Sequence, residues 1–534
     1  MAADHSRIDT LAPRPLASVQ RQMRVFRTEG CFGASLCALA AAVLASAPAA
    51  VLAAEPRSVT EPRIMNEGGE VTQVISSFDD GDPFDLNISL GFDFASKSAR
   101  ILRESSINAP GLASGGYTSK LMNVATYSET TSRLVPRLDI GVWKDVAIYV
   151  RMPIVLSNSR ELGDLDGSSG KLPIVAGGVL GETLFGVPFK APARSGIEYI
   201  ATGLEFDLLT QSRDRSKPTW KFGVEGRFPV GTPMHACNTS PKSGQVQCAD
   251  PADVNRNGRS DGEFEGASVA ERSPGVTRGT IGLEGHTLIS KRWKYVEPYG
   301  GFGALFEFQQ SSSDYGMTDL QGSLVNHPPF VGSIIFGLMV IPWENREKFG
   351  RLTFDMRFTG QYHSEGRDYS ELFDALGSSD AGSLRNPQYA KYARNPGFDS
   401  CKNSATIGSC PQSVADQSSQ KTYFTGLTDV AAYGAYRGSA SVIWQASEYV
   451  KFQFGMGFKH DQSHGITGDQ PCNPDFRGNA DESGVCHAAA NANTVSITGI
   501  PNPNYRPSIN SVGRRFFVDQ SNTFDVFASG VVMF

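Results

Sequence analysis

From Phe84 onward the chain is written with a period of two. Phe84, Leu86, Ile88, Leu90, Phe92 and Phe94 are apolar, and Asp85, Asn87, Ser89 and Asp93 lie between them. Successive side chains on a strand point to opposite faces, so this pattern predicts a strand with two different environments. Five pairs of such runs follow, at 134–142 with 146–154, 200–208 with 220–228, 281–289 with 302–308, 330–338 with 352–358, and 436–444 with 452–458. In the last run, 514–534, the even positions Phe516, Val518, Phe524, Val526, Ala528, Gly530, Val532 and Phe534 are mostly apolar. Splitting this run near 519–522 would make thirteen strands. Because the even phase continues through Gln520 and Asn522, one long strand and a total of twelve are predicted.

The connections alternate in length. Short turns fall near 144–145, 211–218, 290–295, 342–350 and 446–448, and long loops at about 96–131, 157–197, 231–275, 309–329, 364–432 and 461–512. The five tryptophans, Trp143, Trp220, Trp293, Trp343 and Trp444, each lie in or beside a different short turn. Tryptophan favours a boundary between hydrocarbon and water, where its ring is sheltered and its N–H stays wet. Runs of this length suit tilted membrane-spanning strands, and an even count returns both chain ends to one side.

A terminal Phe534 preceded by apolar residues at alternate positions resembles the closing strand and assembly signal of Gram-negative outer-membrane β-barrels. Over 84–534 the general architecture is similar to that of porin-like and substrate-channel barrels. The resemblance implies an all-β chain forming a single antiparallel transmembrane β-barrel of about twelve strands. It also implies short periplasmic turns, long extracellular loops, a location in the cell outer membrane, lipid around the wall, and assembly machinery that engages the C-terminal strand.

Composition adjusts this picture at the N-terminus. The hydrophobic content of 40% is that of a soluble protein, while 56 Gly and 32 Phe favour turn-rich β structure. The single long apolar run, 32–54, follows Arg21, Arg24 and Arg27 and ends in small residues, as a secretory signal cleaved near Ala53 or Ala54 does. Met23 is an alternative start, and an uncleaved anchor is the competing reading. The predicted organisation is a signal peptide over 1–54, a polar periplasmic lead over 55–83, whose acidic run Asp79-Asp80-Gly81-Asp82 is read as solvated linker in preference to a cation site, and the barrel over 84–534. A net charge of −6 argues against a nucleic-acid partner.

Opposite the apolar phase lie Asp85, Asp93, Arg133, Arg137, Asp139, Arg151, Glu205, Asp207, Lys221, Glu225, Arg227, Glu284, Glu307, Arg351, Asp355, Arg357, Arg437, Lys451, Lys459 and Asp525. In a barrel this phase faces the lumen. Asp139, Arg151, Glu205, Asp207, Glu225, Arg227, Arg351, Asp355, Arg357 and Lys451 are the leading candidates to line a pathway. The resemblance then implies passive passage of small solutes through a charged lumen. Ten acids balance ten bases, so the sign of selectivity stays open, and a closed barrel displaying its loops for adhesion or recognition is the alternative. The run at Phe330 is apolar on both phases (Val331, Ile335, Met339), which predicts an apolar cover inside the lumen.

Six cysteines follow the signal, in local pairs: Cys237 with Cys248, Cys401 with Cys410, and Cys472 with Cys486. Such spacing in an exported chain predicts disulfides within single loops. Asp253, Asn255, Asn257, Asp261 and Glu263, with Gly258, are similar to a calcium loop of the EF-hand type, but Phe264 stands where the bidentate Glu belongs. Weak Ca²⁺ binding and a simple Asn/Gly turn are both compatible with that departure, and no other cofactor is expected. Barrels that hydrolyse lipid need a nucleophile and a base on the membrane face. His286 points inward by phase and His363-Ser364 sits at a loop edge, so an enzyme is not predicted.

Overall fold

The computed structural model describes residues 71–72, 74–77, 85–108, 117–164, 177, 181–239, 244–248, 272–310, 312–315, 324–385, 424–473, 488–491, 494–497, 500–502 and 504–534. The predicted signal, the Asp79–Asp82 run, the calcium-like loop, Cys401, Cys410 and Cys486 lie outside the described residues.

Twelve strands form one meander in which each pairs antiparallel with its neighbour in sequence. They are β1 (Leu86–Asn108), β2 (Tyr117–Trp143), β3 in two segments (Val146–Arg151 and Ile154–Asp164), β4 (Ile200–Leu209), β5 (Thr219–Phe228) and β6 (Thr280–Ser290). The ring continues with β7 (Val296–Gln309), β8 (Val331–Asn345), β9 (Gly350–His363), β10 (Tyr433–Ser447), β11 (Val450–Asp461) and β12 (Phe516–Met533). β1 pairs with β2 on one side and β12 on the other, which closes the barrel. The seam is tied at its end by the amide of Leu86 on the carbonyl of Phe534 (3.2 Å) and the amide of Phe534 on that of Leu86 (2.8 Å). Closure leaves no strand edge, so the backbone groups of the wall are satisfied by neighbours.

The period of two is realised as two faces. Ile88, Leu90, Phe92, Ile148, Leu204, Leu283, Phe302, Phe306, Phe354, Phe454, Met456 and Val526 all lie exposed on the outside. Trp143, Trp293, Trp343 and Trp444 are exposed beside the short turns, and Trp220 is half-buried with its indole N–H on Thr287 Oγ1.

Three expectations are corrected. The region 96–131, read as a long loop, is mostly strand: β1 runs 23 residues and β2 27, paired from Leu86 opposite Ile140 to Asn108 opposite Tyr117. The alternation is hidden because beyond the apolar belt the outer face meets polar surroundings and the inner face meets folded-back loops through both apolar and charged residues, such as Ile101 and Lys97, while the backbone ladder still forms. The loop predicted over 157–197 likewise contains the second segment of β3 and short strands at Phe189–Lys190 and Arg194–Ile197. The lead, read as a solvated linker, is buried at Thr72, Val74, Ser76 and Ser77. Thr72 Oγ1 lies 2.6 Å from Ser290 Oγ, and Ser77 donates to the carbonyls of Trp143 (3.2 Å) and Gly141 (2.7 Å), so this segment runs across the short-turn mouth from β6 to β2.

The C-terminal stretch is one strand, as expected, but it changes face. Gln520 has a φ of 50°, and the pairing with β1 shifts register between Ser98 and Arg100. This bulge turns Phe516 and Val518 inward, where they are fully buried, and leaves Phe524 and Val526 outside.

At the long-loop end, connecting segments fold back against the inner faces of β1, β2, β3 and β12. Helix α1 (Phe373–Gly377), Leu184, Leu372, Leu384, Ile466 and Ile509 pack with Ile101, Val124, Leu162, Phe516 and Val518 into one apolar core.

Candidate functional site

The inner wall carries the charges, and small residues decide how they meet. On β4, Ala201 and Gly203 leave room for side chains of β3 to lie across the strand. Tyr149 stands opposite Gly203, whose own partner on β5 is Glu225. The Tyr149 hydroxyl donates to Glu225 (2.8 Å), which also accepts from Arg151 Nε (2.7 Å), Arg151 Nη2 (2.5 Å) and Arg227 Nε (2.7 Å). Arg227 reaches onward to Glu284. A second acid, Glu205, lies near Lys221 (3.4 Å), Arg137 (3.6 Å) and His286 Nε2 (3.6 Å), and Arg137 also holds Asp139 (2.5 Å). Gly223 makes way for the His286 ring. The result is a continuous band of ion pairs over β2 to β6.

The same device recurs on the other side of the ring. Tyr299 of β7 stands opposite Gly337 of β8, crosses it, and donates to Asp355 of β9 (2.6 Å) while accepting from Arg357 Nε (2.9 Å). The expected apolar cover over β8 is thus partly this ring, with Met339 and Ile341 buried along the same face. Further round, Arg437 of β10 reaches across β11 to Asp525 of β12 (2.5 Å).

All ten leading candidates lie on strands of the wall, and the structure joins Asp139, Arg151, Glu205, Glu225 and Arg227 into one network and Asp355 with Arg357 into another. Asp207, Arg351 and Lys451 lie near the short-turn end instead: Asp207 opposite Lys221, Arg351 opposite Glu344 and Gln445, and Lys451 opposite Gln445. Sequence reasoning missed Tyr149 and Tyr299. An inward-phase tyrosine facing a glycine on the next strand was the available signal, but it needs the register to be read.

This combination of an apolar outer face, a tryptophan rim and an ionised interior, in a closed ring of twelve strands, decides the class. The chain is an outer-membrane β-barrel. Its short turns are periplasmic, and its long loops extracellular.

No protein-family model and no curated protein sequence matches the chain. Among solved structures it is similar to a Pseudomonas aeruginosa FadL homologue (8% identity, 84% of this chain and 90% of that one, TM-score 0.31). It is also similar to the Pseudomonas putida toluene transporter TodX (9% identity, 89% and 93%, TM-score 0.28) and to the outer-membrane protease OmpT of Escherichia coli (7% identity, 87% and 100%, TM-score 0.23).

The extracellular loop core is held by buried charge. Arg194, wholly buried, donates from Nη1 and Nη2 to Asp374 of α1 (3.1 and 2.5 Å), and Asp374 also accepts from the amide of Cys237 (3.0 Å). Cys237 is bonded to Cys248, as expected, so that disulfide is tied directly to the helix. Nearby, burial, with the charges of Asp469 and Glu365 added, pushes the Asp429 carboxyl up to about 8 against the pull of Arg367. Glu371 moves the other way: burial opposes its charge, but Lys97 at 2.8 Å holds it below the usual carboxylate range.

Two of the described histidines share one aromatic stack. His363 stacks on Tyr433 (4.5 Å between centroids), which stacks on His464 (4.0 Å). Ser364, beside His363 in sequence, spends its hydroxyl on the backbone, accepting from the Phe330 amide and donating to the Glu365 carbonyl.

Proposed function

We propose that the barrel is a channel for passive passage of small solutes through its charged lumen. The observation that carries this reading is solvent space inside the wall: the inward side chains of Arg137, Arg357 and Arg437 are each about 30% exposed although the ring around them is closed. Charged groups that keep water in a closed cylinder line an aqueous path, and a wall already knitted by ion pairs holds its shape without a ligand. Such a wall sets which solutes enter by charge, the means by which pores select.

A second reading has its own observation. The extracellular loop core and the Cys237–Cys248 bond brace the loops as a display surface, which fits a closed barrel used for adhesion or recognition. Reconstitution in a planar lipid bilayer separates the two. The channel reading expects unitary conductance steps from the folded full chain. Silence from a barrel that is folded by heat-modifiable gel migration would sink it and leave the display reading standing.

A further inference from the structure

Counting charges along the lumen gives neutrality, but the structure does not present the two signs equally to the water inside. Within the lumen pairs the cation is the more exposed partner: Arg137 against Asp139 at 31% and 15%, Arg151 against Glu225 at 24% and 4%, Arg357 against Asp355 at 31% and 5%, and Arg437 against Asp525 at 29% and 17%. Arg227 with Glu284 (22% and 27%) is near parity, as is Lys221 with Glu205 (9% and 8%). The geometry behind this is the crossing already described. A carboxylate on a short side chain stays against the wall, while the long arginine arcs over a small residue such as Ala201 and lays its guanidinium on top.

We infer that the lumen is cationic at its surface and that the channel selects small organic anions carrying an apolar body. This deepens the channel reading and rests on it. Each of the first four pairs is a dipole with its positive end toward the water, and the low-dielectric wall confines the field to the lumen. A guanidinium matches a carboxylate in shape and is weakly hydrated, so it exchanges water for an anion readily. The pairs stand on β2–β6 and on β9–β12, with β7 and β8 between. There, between Tyr299 and Glu307, the inner face has a short apolar stretch: Leu305 lies opposite Val331, and Gly301 opposite Ile335, with Ser333 opposite Gly303. Glycine at 301 and 303 keeps the wall low here, with Leu288 beside the first and Ser333 beside the second, so a slim apolar body can lie along this stretch while its carboxylate meets arginine.

The test uses the full chain in a planar bilayer under a potassium chloride gradient, then with sodium hexanoate or sodium acetate added at equal concentration. The expected reversal potential has the sign of chloride permeation and moves toward zero in Arg357→Gln and Arg437→Gln. Hexanoate is expected to lower the chloride current more than acetate does. A conducting channel that is cation-selective or indifferent to sign overturns the inference while the channel reading stands, as does equal action of the two carboxylates. Absence of conductance from a folded barrel would remove the channel reading and the inference together. The wild-type measurement decides the sign even if a variant fails to assemble.

Discussion

Tyr149 and Glu225 are two strands apart, yet they share a 2.8 Å hydrogen bond because Gly203 lies between them with no side chain. A Cβ on Gly203 would stand 2.3 Å from the Tyr149 ring, and one on Gly337 would stand 2.0 Å from the ring of Tyr299. Gly203→Ala and Gly337→Ala are therefore expected to destabilise the barrel by about 1–3 kcal/mol, the usual cost of overpacking. Urea unfolding from lipid vesicles measures this. Gly285, where an added Cβ meets nothing within 4 Å, is the control, and Gly285→Ala is expected to change little.

The loop core depends on a pair with no water around it. Removing one partner of a buried ion pair leaves an uncompensated charge at a cost of about 3–5 kcal/mol. Arg194→Met leaves Asp374 with only the Cys237 amide and the more distant Arg160 (3.8 Å), and is expected to loosen α1 and the residues around it while the twelve-stranded wall persists. Hydrogen exchange should rise over Phe373–Gly377 and at Cys237, with heat-modifiable migration unchanged. Unaltered exchange there would contradict the anchoring role.

The same assembly responds to pH through Asp429. In the unfolded loop its carboxyl ionises near pH 4, whereas in the folded loop it holds its proton up to about 8. Between those values the folded state binds more protons than the unfolded, so stability falls as pH rises across the window and levels off above it. Proteolysis of the extracellular loops is accordingly expected to be faster at pH 8.5 than at pH 5. Asp429→Asn should flatten that dependence and protect the loops at the higher pH.

The outer face answers to hydrocarbon. Met456, exposed on β11, is expected to tolerate arginine poorly, at a cost of about 2–4 kcal/mol if it sits at the bilayer midplane. Gln453, on the opposite phase and bonded to Ser441, is expected to accept arginine at far smaller cost. Folding yields into vesicles for Met456→Arg and Gln453→Arg measure the difference, and equal yields would contradict a lipid-facing outside.

The periplasmic mouth can be tested at Gly141. A Cβ there would lie 2.6 Å from Ser77 Oγ and 3.1 Å from the Ser76 carbonyl carbon. Gly141→Val is expected to displace the lead from the wall and to raise the single-channel conductance without altering barrel stability by more than about 1 kcal/mol, since the contact is with a peripheral segment. Unchanged conductance would mean that the lead does not restrict the path.

Alternation by itself determined the strands within the membrane, their number, and which residues face lipid, because a solvent that accepts no polar group allows only one placement for each phase. Beyond the membrane that constraint lapses, and the polar halves of β1 and β2 were therefore illegible, as was the change of face at Gln520, where one extra residue reverses the phase. The lumen charges were readable as a list but not as a site. Which arginine crosses which glycine, and which charge of each pair meets the water, depends on the register between strands distant in sequence, and pairing across a closed ring is a property no single strand carries.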